Sequence, residues 1–353
     1  MERGGRITNA AAPSTERLRG RTYVIAEIGV NHDGSEARAL ELVAAAAASG
    51  ADAVKLQIFR ADRLMHASSA FAEYQQTQVS DASPQQMLRR LELSEASQRR
   101  VVSAIKAAGL DAIATPFSPE DLEIIGSLDL AAVKIASPDL VNLPLLRPAA
   151  KLGKPMLVST GAATLDEIAR TVGWLNGWDV SFTLLHCISC YPTALADARL
   201  SWIDELTMRF GLPVGFSDHT TEPLAGALAV AAGAVVIEKH LTYDRAAAGP
   251  DHAASFDPAQ FAQYVSQIRL AETMRGTPGK RVLDCEQDVR RVSRQSLIVT
   301  RAMGAGERLR EEDLSVQRPG TGIEAAAIDR VVGRALRQPM TAGQMLAWEM
   351  VGE

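Results

Sequence analysis

Two histidines, His219 and His240, stand at or just past the ends of short apolar runs, and similar runs elsewhere in the chain end in lysines, carboxylates and hydroxyls. Imidazoles from neighbouring runs could share one divalent cation, with water and substrate completing its shell. Each could equally hydrogen-bond a backbone carbonyl, and spacing alone leaves both readings open. With no cluster of carboxylates and no cysteine partner beside them, a six-coordinate Mn2+ or Mg2+ suits the pair better than a closed zinc site.

Lys55, Lys134 and Lys239 offer either ammonium groups for an anion or one desolvated amine for Schiff-base chemistry. Hydroxyls of Thr115, Ser137, Ser159, Thr160 and Ser217 end runs of the same kind, and that company favours an anionic, phosphorylated substrate. Cys187 and Cys190 form a C-x-x-C. A redox pair would open a helix, whereas this one ends a run and leads into Tyr191-Pro192, and no second pair exists for zinc.

Such residues need a frame that gathers many strand ends in one place. Eight nearly continuous apolar runs read as strands buried on both faces: Tyr23–Val30, Ala53–Phe59, Asp111–Thr115, Ala131–Ala136, Pro155–Thr160, Phe182–Cys187, Pro213–Phe216 and Ala234–His240. Between them lie helices with start signals at Ser35, Ser94, Thr164, Thr221 and Asp257, and with stop glycines at Gly50, Gly109, Gly153, Gly211 and Gly233. Strand and helix repeated eight times over about 250 residues predict a TIM barrel, whose active site forms at the C-terminal ends of the strands. The competing open doubly wound sheet lacks its G-x-G-x-x-G after the first strand. Alternate residues of a strand face opposite sides, so Lys55 shares a side with Gln57, and Glu238 with His240.

The 353 residues divide, on this reading, into a loose tail (1–20), a barrel (21–276), a polar linker (277–292) and a small β-rich module (293–353) expected to lean on a barrel rather than carry a full core of its own. Lys plus Arg (37) against Asp plus Glu (42) gives net −5 without a basic run, which excludes a nucleic-acid partner. No apolar stretch approaches the roughly 20 residues of a membrane span. Three cysteines imply no disulfide framework, and a cytoplasmic location is expected.

The chain resembles the sialic acid synthase family, bacterial nonulosonic acid synthases that condense phosphoenolpyruvate with an N-acetylated hexose. The resemblance is carried by Ala26-Glu27-Ile28-Gly29-Val30-Asn31-His32-Asp33-Gly34, Val54-Lys55-Leu56-Gln57, Thr115-Pro116-Phe117, Lys134-Ile135-Ala136-Ser137, Ser159-Thr160-Gly161 and Leu185-His186-Cys187 through Tyr191-Pro192-Thr193. It continues through Gly215-Phe216-Ser217-Asp218-His219-Thr220, Glu238-Lys239-His240 and Gly249-Pro250-Asp251-His252. The terminal module resembles the family's antifreeze-like (SAF) domain at Arg318-Pro319-Gly320.

The resemblance implies a divalent metal on His219 and His240, Mn2+ by preference with Mg2+ or Co2+ as alternatives. It implies phosphoenolpyruvate on Lys55, Thr115, Lys134, Ser137, Ser189 and Ser217, and the sugar near Gln57, Asp139, Tyr191, Asp251 and Arg318. Glu27 is the choice for orienting or deprotonating the attacking water. Arg318 is expected to reach the barrel of a second chain in a domain-swapped homodimer. Two positions depart from the family pattern: Ser189 where relatives often have Asn, and Asp139 where they have Glu. The acceptor expected first is N-acetylmannosamine, with a 6-deoxy analogue that carries a second acetamido group as the alternative. A Schiff-base pyruvate aldolase and a non-catalytic carbohydrate-binding protein are the rival readings.

Overall fold

The computed structural model describes residues 21–66, 69–71 and 81–353, and the expected tail at 1–20 lies outside the described residues. The chain divides into two compact units between Gly276 and Thr277. In the first, eight parallel strands close into a barrel in sequence order. They are β1 (Tyr23–Gly29), β2 (Ala53–Ile58), β3 (Asp111–Pro116), β4 (Ala132–Ile135), β5 (Met156–Ser159), β6 (Phe182–Cys187), β7 (Val214–Asp218) and β8 (Val236–His240). These are the eight expected runs with ends moved by at most two residues, and the barrel is the TIM fold.

Alternation along the strands separates two layers. Val24, Val54, Val133, Val158, Leu184 and Ile237 face the helices and belong to the large outer core. Tyr23, Ile25, Ala53, Ile113, Ala132, Leu157, Leu185 and Val236 form a separate buried cluster that fills the barrel. Gly215 completes that layer on β7, where a Cβ would lie 2.5 Å from both Leu185 Cδ2 and the Val236 carbonyl. Two residues further along the strands, on the same inward side, come Glu27, Lys55, Thr115, Lys134, Ser159, Cys187, Ser217 and Glu238. The barrel interior therefore turns from hydrocarbon to polar in a single step.

Four of the five helix starts carry the expected caps: Ser35 accepts from the Arg38 N–H, Ser94 from Ser97, and Thr164 and Asp257 form capping boxes with Glu167 and Gln260. The fifth expectation fails, because the helix begins at Ala225 with Leu224, not Thr221, at its cap. Local side-chain bonds take over the preceding backbone there: Thr220 N–H donates to Asp218 Oδ1, Glu222 N–H to Thr220 Oγ1 and Leu224 N–H to Glu222 Oε1, an alternative to helical pairing. The five stop glycines all adopt positive φ. Among the described residues no helix is long and apolar enough to cross a membrane.

The second unit has an antiparallel pair, Ser296–Val299 with Leu314–Gln317, preceded by the helix Gln287–Ser293. Isolated bridges such as Ile298–Met345 and Leu336–Val351 complete its β character. It differs from expectation in owning a core: Leu297, Val299, Met303, Leu309, Leu336, Met340 and Leu346 are all buried together.

Candidate active site

The polar layer lines a cavity of about 440 Å3 at the C-terminal ends of the strands, the face where barrel sites form. Register brings its residues level: Glu27 pairs with Lys55 and with His240, Ser217 with Glu238, and Gln57 with Thr115. At the centre, Lys55 Nζ lies 2.7 Å from Glu27 Oε2 and 2.9 Å from Glu238 Oε2, while Lys134 Nζ lies 3.6 Å from Glu238 Oε1. Ser217 Oγ donates to Glu238 Oε1 at 2.8 Å, Lys134 Nζ to the Ile135 carbonyl at 3.2 Å, and Gln57 Nε2 to Glu27 Oε1 at 3.4 Å.

Burial lowers the Lys55 ammonium to about 8, with Glu238 holding it up and Lys134 pressing it further down. Burial alone would raise the Glu238 carboxyl, but Lys134, Lys55 and Ser217 together hold it well below the usual carboxylate range. Thr115 Oγ1, Ser159 Oγ and His240 Nδ1 are buried around the same cavity with no hydrogen-bond partner among the described residues. Unsatisfied buried polar atoms are costly, and several facing one space point to a ligand.

The histidine rings have centroids 5.5 Å apart and planes inclined at 55°, close enough for one cation about 2 Å from a nitrogen of each. His219 Nδ1–H donates to the Ile188 carbonyl at 2.8 Å, so its Nε2 carries the lone pair in the neutral ring. Burial, with His219 and Lys55 nearby, pushes His240 well below its ordinary value and keeps it in the neutral form that binds metals. For His219 burial is outweighed by Cys187 and the Ile188 carbonyl, which raise it. Burial would likewise raise the Cys187 thiol, but His219, whose Nδ1 is 3.8 Å from the sulfur, brings it down to about 7. Among the described residues no group of three or more His, Cys, Asp or Glu gathers to hold an ion. A cation on this pair would therefore draw further ligands from water or substrate.

Loops supply the walls. Tyr191 packs on His219, with centroids 4.0 Å apart. Asp251 enters from the loop after β8 and sits 3.5 Å from His240 Nδ1; burial raises its carboxyl. Asp33 anchors that loop from the end of β1, accepting from Tyr243 Oη at 2.8 Å, His252 Nε2 at 3.1 Å and Arg38. Asp139 lines the cavity, accepts from Asn142 Nδ2 and is also raised by burial. Ser137 Oγ accepts from the Gly161 N–H at 3.0 Å.

Eleven of the fourteen residues singled out from sequence line this cavity: Lys55, Gln57, Thr115, Lys134, Ser137, Asp139, Tyr191, Ser217, His219, His240 and Asp251. Glu27 lies just behind its surface, fully buried against Lys55. Ser189 lies across Gly161 from Ser137 and lines a neighbouring cavity of about 520 Å3, which shares Cys187 with the first. Arg318 belongs to the second unit, where it is exposed.

The third lysine does not join the other two. Lys239 has the opposite parity, and its ammonium is fixed outside the barrel by the carbonyls of Asp218, Thr220 and Ala254. His186 likewise points outward, bonded to the Ala198 carbonyl and stacked on Phe216. Glu238 and Cys187 were given no site role from sequence, although the shared side of Glu238 and His240 was the signal that places both in the cavity.

The profile of the NeuB family matches residues 42–280, and that of the SAF domain residues 294–352. An N,N'-diacetyllegionaminic acid synthase of Legionella pneumophila is 39% identical over 335 residues, 93% of this chain and 94% of that protein. Its namesake in Campylobacter jejuni is 37% identical over 318 residues, covering 89% and 95%. The solved N-acetylneuraminic acid (sialic acid) synthetase of Leptospira borgpetersenii superposes with a TM-score of 0.69 at 30% identity, covering 76% of this chain and 90% of that one.

Removing one member of a buried ion network costs about 3–5 kcal/mol, since its partners remain charged. Glu238→Gln is therefore expected to lower the urea unfolding free energy by about that amount, and adding Lys134→Met should restore part of it. A single variant as stable as the parent would contradict the buried network.

Proposed function

The chain belongs to the NeuB family, and from that membership and the cavity's chemistry we propose that it condenses phosphoenolpyruvate with an N-acetylated hexose to a nine-carbon 2-keto sugar acid. In this reaction C3 of phosphoenolpyruvate forms a bond to the open-chain aldehyde carbon, water adds at C2, and phosphate leaves with cleavage of its C–O bond. The observation that carries the reading is the convergence of two buried ammonium groups, a set of hydroxyls and a pair of histidines in one cavity.

Lys55, Lys134, Thr115, Ser137 and Ser217 are the groups to hold the phosphate and carboxylate oxygens, as charge-assisted and hydroxyl hydrogen bonds. Gln57, Asp139, Tyr191 and Asp251 are placed for the sugar. Glu27 has the spare acceptor capacity to orient water: its Oε1 takes only the long bond from Gln57, whereas Glu238 Oε1 is held by Ser217. The two lysines face two glutamates, so this layer is electrically neutral by itself. A multiply charged anion therefore calls for more positive charge, which a divalent cation on His219 and His240 would supply together with Lewis acidity toward the aldehyde oxygen. The donor set fits, since His240 Nδ1 is buried without a hydrogen-bond partner among the described residues and the neutral His219 ring keeps a lone pair on Nε2.

Arg318 is the other missing charge, and we assign it to the barrel of a second copy in a domain-swapped dimer. Its exposure in the SAF-like unit supports this. The free thiols Cys187, Cys190 and Cys285 accord with a reducing, cytoplasmic setting. A Schiff-base aldolase is not favoured, because Lys55 Nζ is held between two carboxylates and, lowered by burial only to about 8, is still mostly an ammonium at neutral pH.

Purified protein given phosphoenolpyruvate, Mn2+ and a panel of N-acetylated hexoses should release phosphate with at least one of them, lose that activity to EDTA, and fall at least a hundredfold as Glu27→Gln. Phosphate release untouched by both treatments would contradict the assignment. Mixing inactive Glu27→Gln with inactive Arg318→Ala should restore about a quarter of parental activity, because half of the dimers would hold one complete site of two. No restoration after subunit exchange would remove Arg318 from the partner's site.

A further inference from the structure

The cavity is not uniform along its depth. Inward positions on β2 run Lys55, Gln57, then Phe59 just past the strand, and on β3 Thr115 then Phe117, so this side passes from charged to polar to apolar as it rises. At about 3.3 Å per residue, Phe59 stands roughly 13 Å further along the chain than Lys55. Phe59 and Phe117 meet edge to face with centroids 6.0 Å apart. Leu64 and Met65, at the end of the helix Ala61–Leu64, and Met87 and Leu88, from the helix Pro84–Leu91, extend the same hydrocarbon surface. Among the described residues no charged side chain lines this stretch of the cavity. The hydrogen-bonding side chains of the upper cavity, Asp139, Tyr191 and Asp251, come from other segments, the loops after β4, β6 and β8.

A hexose that reacts at C1 must present its aldehyde at the floor, beside the histidines, which puts C6 at the far end. Against the β2–β3 side that end meets hydrocarbon, where a hydroxymethyl group would lose its water without gaining a side-chain partner among the described residues. A methyl group there gains from burial. Resting on the synthase reading above, we infer that the acceptor is a 6-deoxy N-acetylated hexose whose terminal methyl packs on Phe59, Phe117, Met65 and Leu88, and that these side chains set acceptor specificity. The acetamido and hydroxyl groups then turn toward Asp139, Tyr191 and Asp251.

The test compares N-acetylmannosamine with its 6-deoxy analogue and with a 6-deoxy diacetamido hexose, following phosphate release in the parent and in Met65→Gln and Leu88→Gln. Both substituted residues are only half-buried, and a urea transition confirms that each variant is folded. The parent should favour the 6-deoxy sugars at least tenfold in kcat/KM. Each variant should lose at least fivefold with them, through KM, while N-acetylmannosamine is unaffected or improved. Equal or better turnover of N-acetylmannosamine by the parent overturns the inference and leaves the synthase reading standing. Variants that slow all sugars alike overturn the role of the wall, and no phosphate from any sugar overturns the inference together with the reading beneath it.

Discussion

A buried ammonium group must find its counter-charge within reach of its own side chain, and Lys55 finds it twice, in Glu27 of β1 and Glu238 of β8. The hydrocarbon layer below, from Tyr23 to Val236, excludes water and so makes both the attraction and the cost of losing it larger than at a surface. Because side chains alternate along a strand, sliding β2 by one residue would turn Lys55 into the helical layer, strip Glu27 of its ammonium partner and leave Glu238 with Lys134 and Ser217 alone. Strand register and charge pairing thus enforce each other. Lys134 and Ser217 join through Glu238, which extends the same constraint to β4 and β7.

What surrounds this network follows from its neutrality. It offers hydrogen bonds of charged strength but no surplus charge, so cations added at its rim would strengthen its hold on an anion. His240, kept neutral by burial and by its cationic neighbours, adds no positive charge of its own, and the proposed cation would supply it. The loop that brings Asp251 to His240 is tied back by Asp33, which takes hydrogen bonds from three side chains. Polar and apolar side chains from different segments then line the opening. The site is consequently layered: hydrocarbon, ion pairs, metal-competent imidazoles, and a mouth of mixed polarity.

The strands and the convergence of their ends were legible in the sequence because continuous apolar runs and strand-end polar residues are local signals. Parity was legible too, but only where it was applied. Used for Glu238 and His240 it identified a shared side; carried one residue along to Lys239 it would have removed that lysine from the anion site, since alternate positions face the helices. The helix expected to start at Thr221 starts instead at Ala225 because Asp218, Thr220 and Glu222 side chains hold the intervening turns, a competition that residue preferences do not resolve. The core of the second unit was also missed. Its buried residues are scattered from Leu297 to Leu346 without a period that a strand or helix would impose. The apolar wall above Lys55 escaped for a related reason, since Phe59, Phe117 and Leu88 come from three separate segments.

Whether anion binding requires the Lys55 ammonium held between two carboxylates is tested by titrating phosphoenolpyruvate calorimetrically into metal-free protein between pH 7 and 10. With Lys55 at about 8, affinity should fall about tenfold per pH unit above that point, and Lys55→Arg, which stays charged, should carry the decline out of range. Affinity that stays level to pH 10 in the parent would contradict the account.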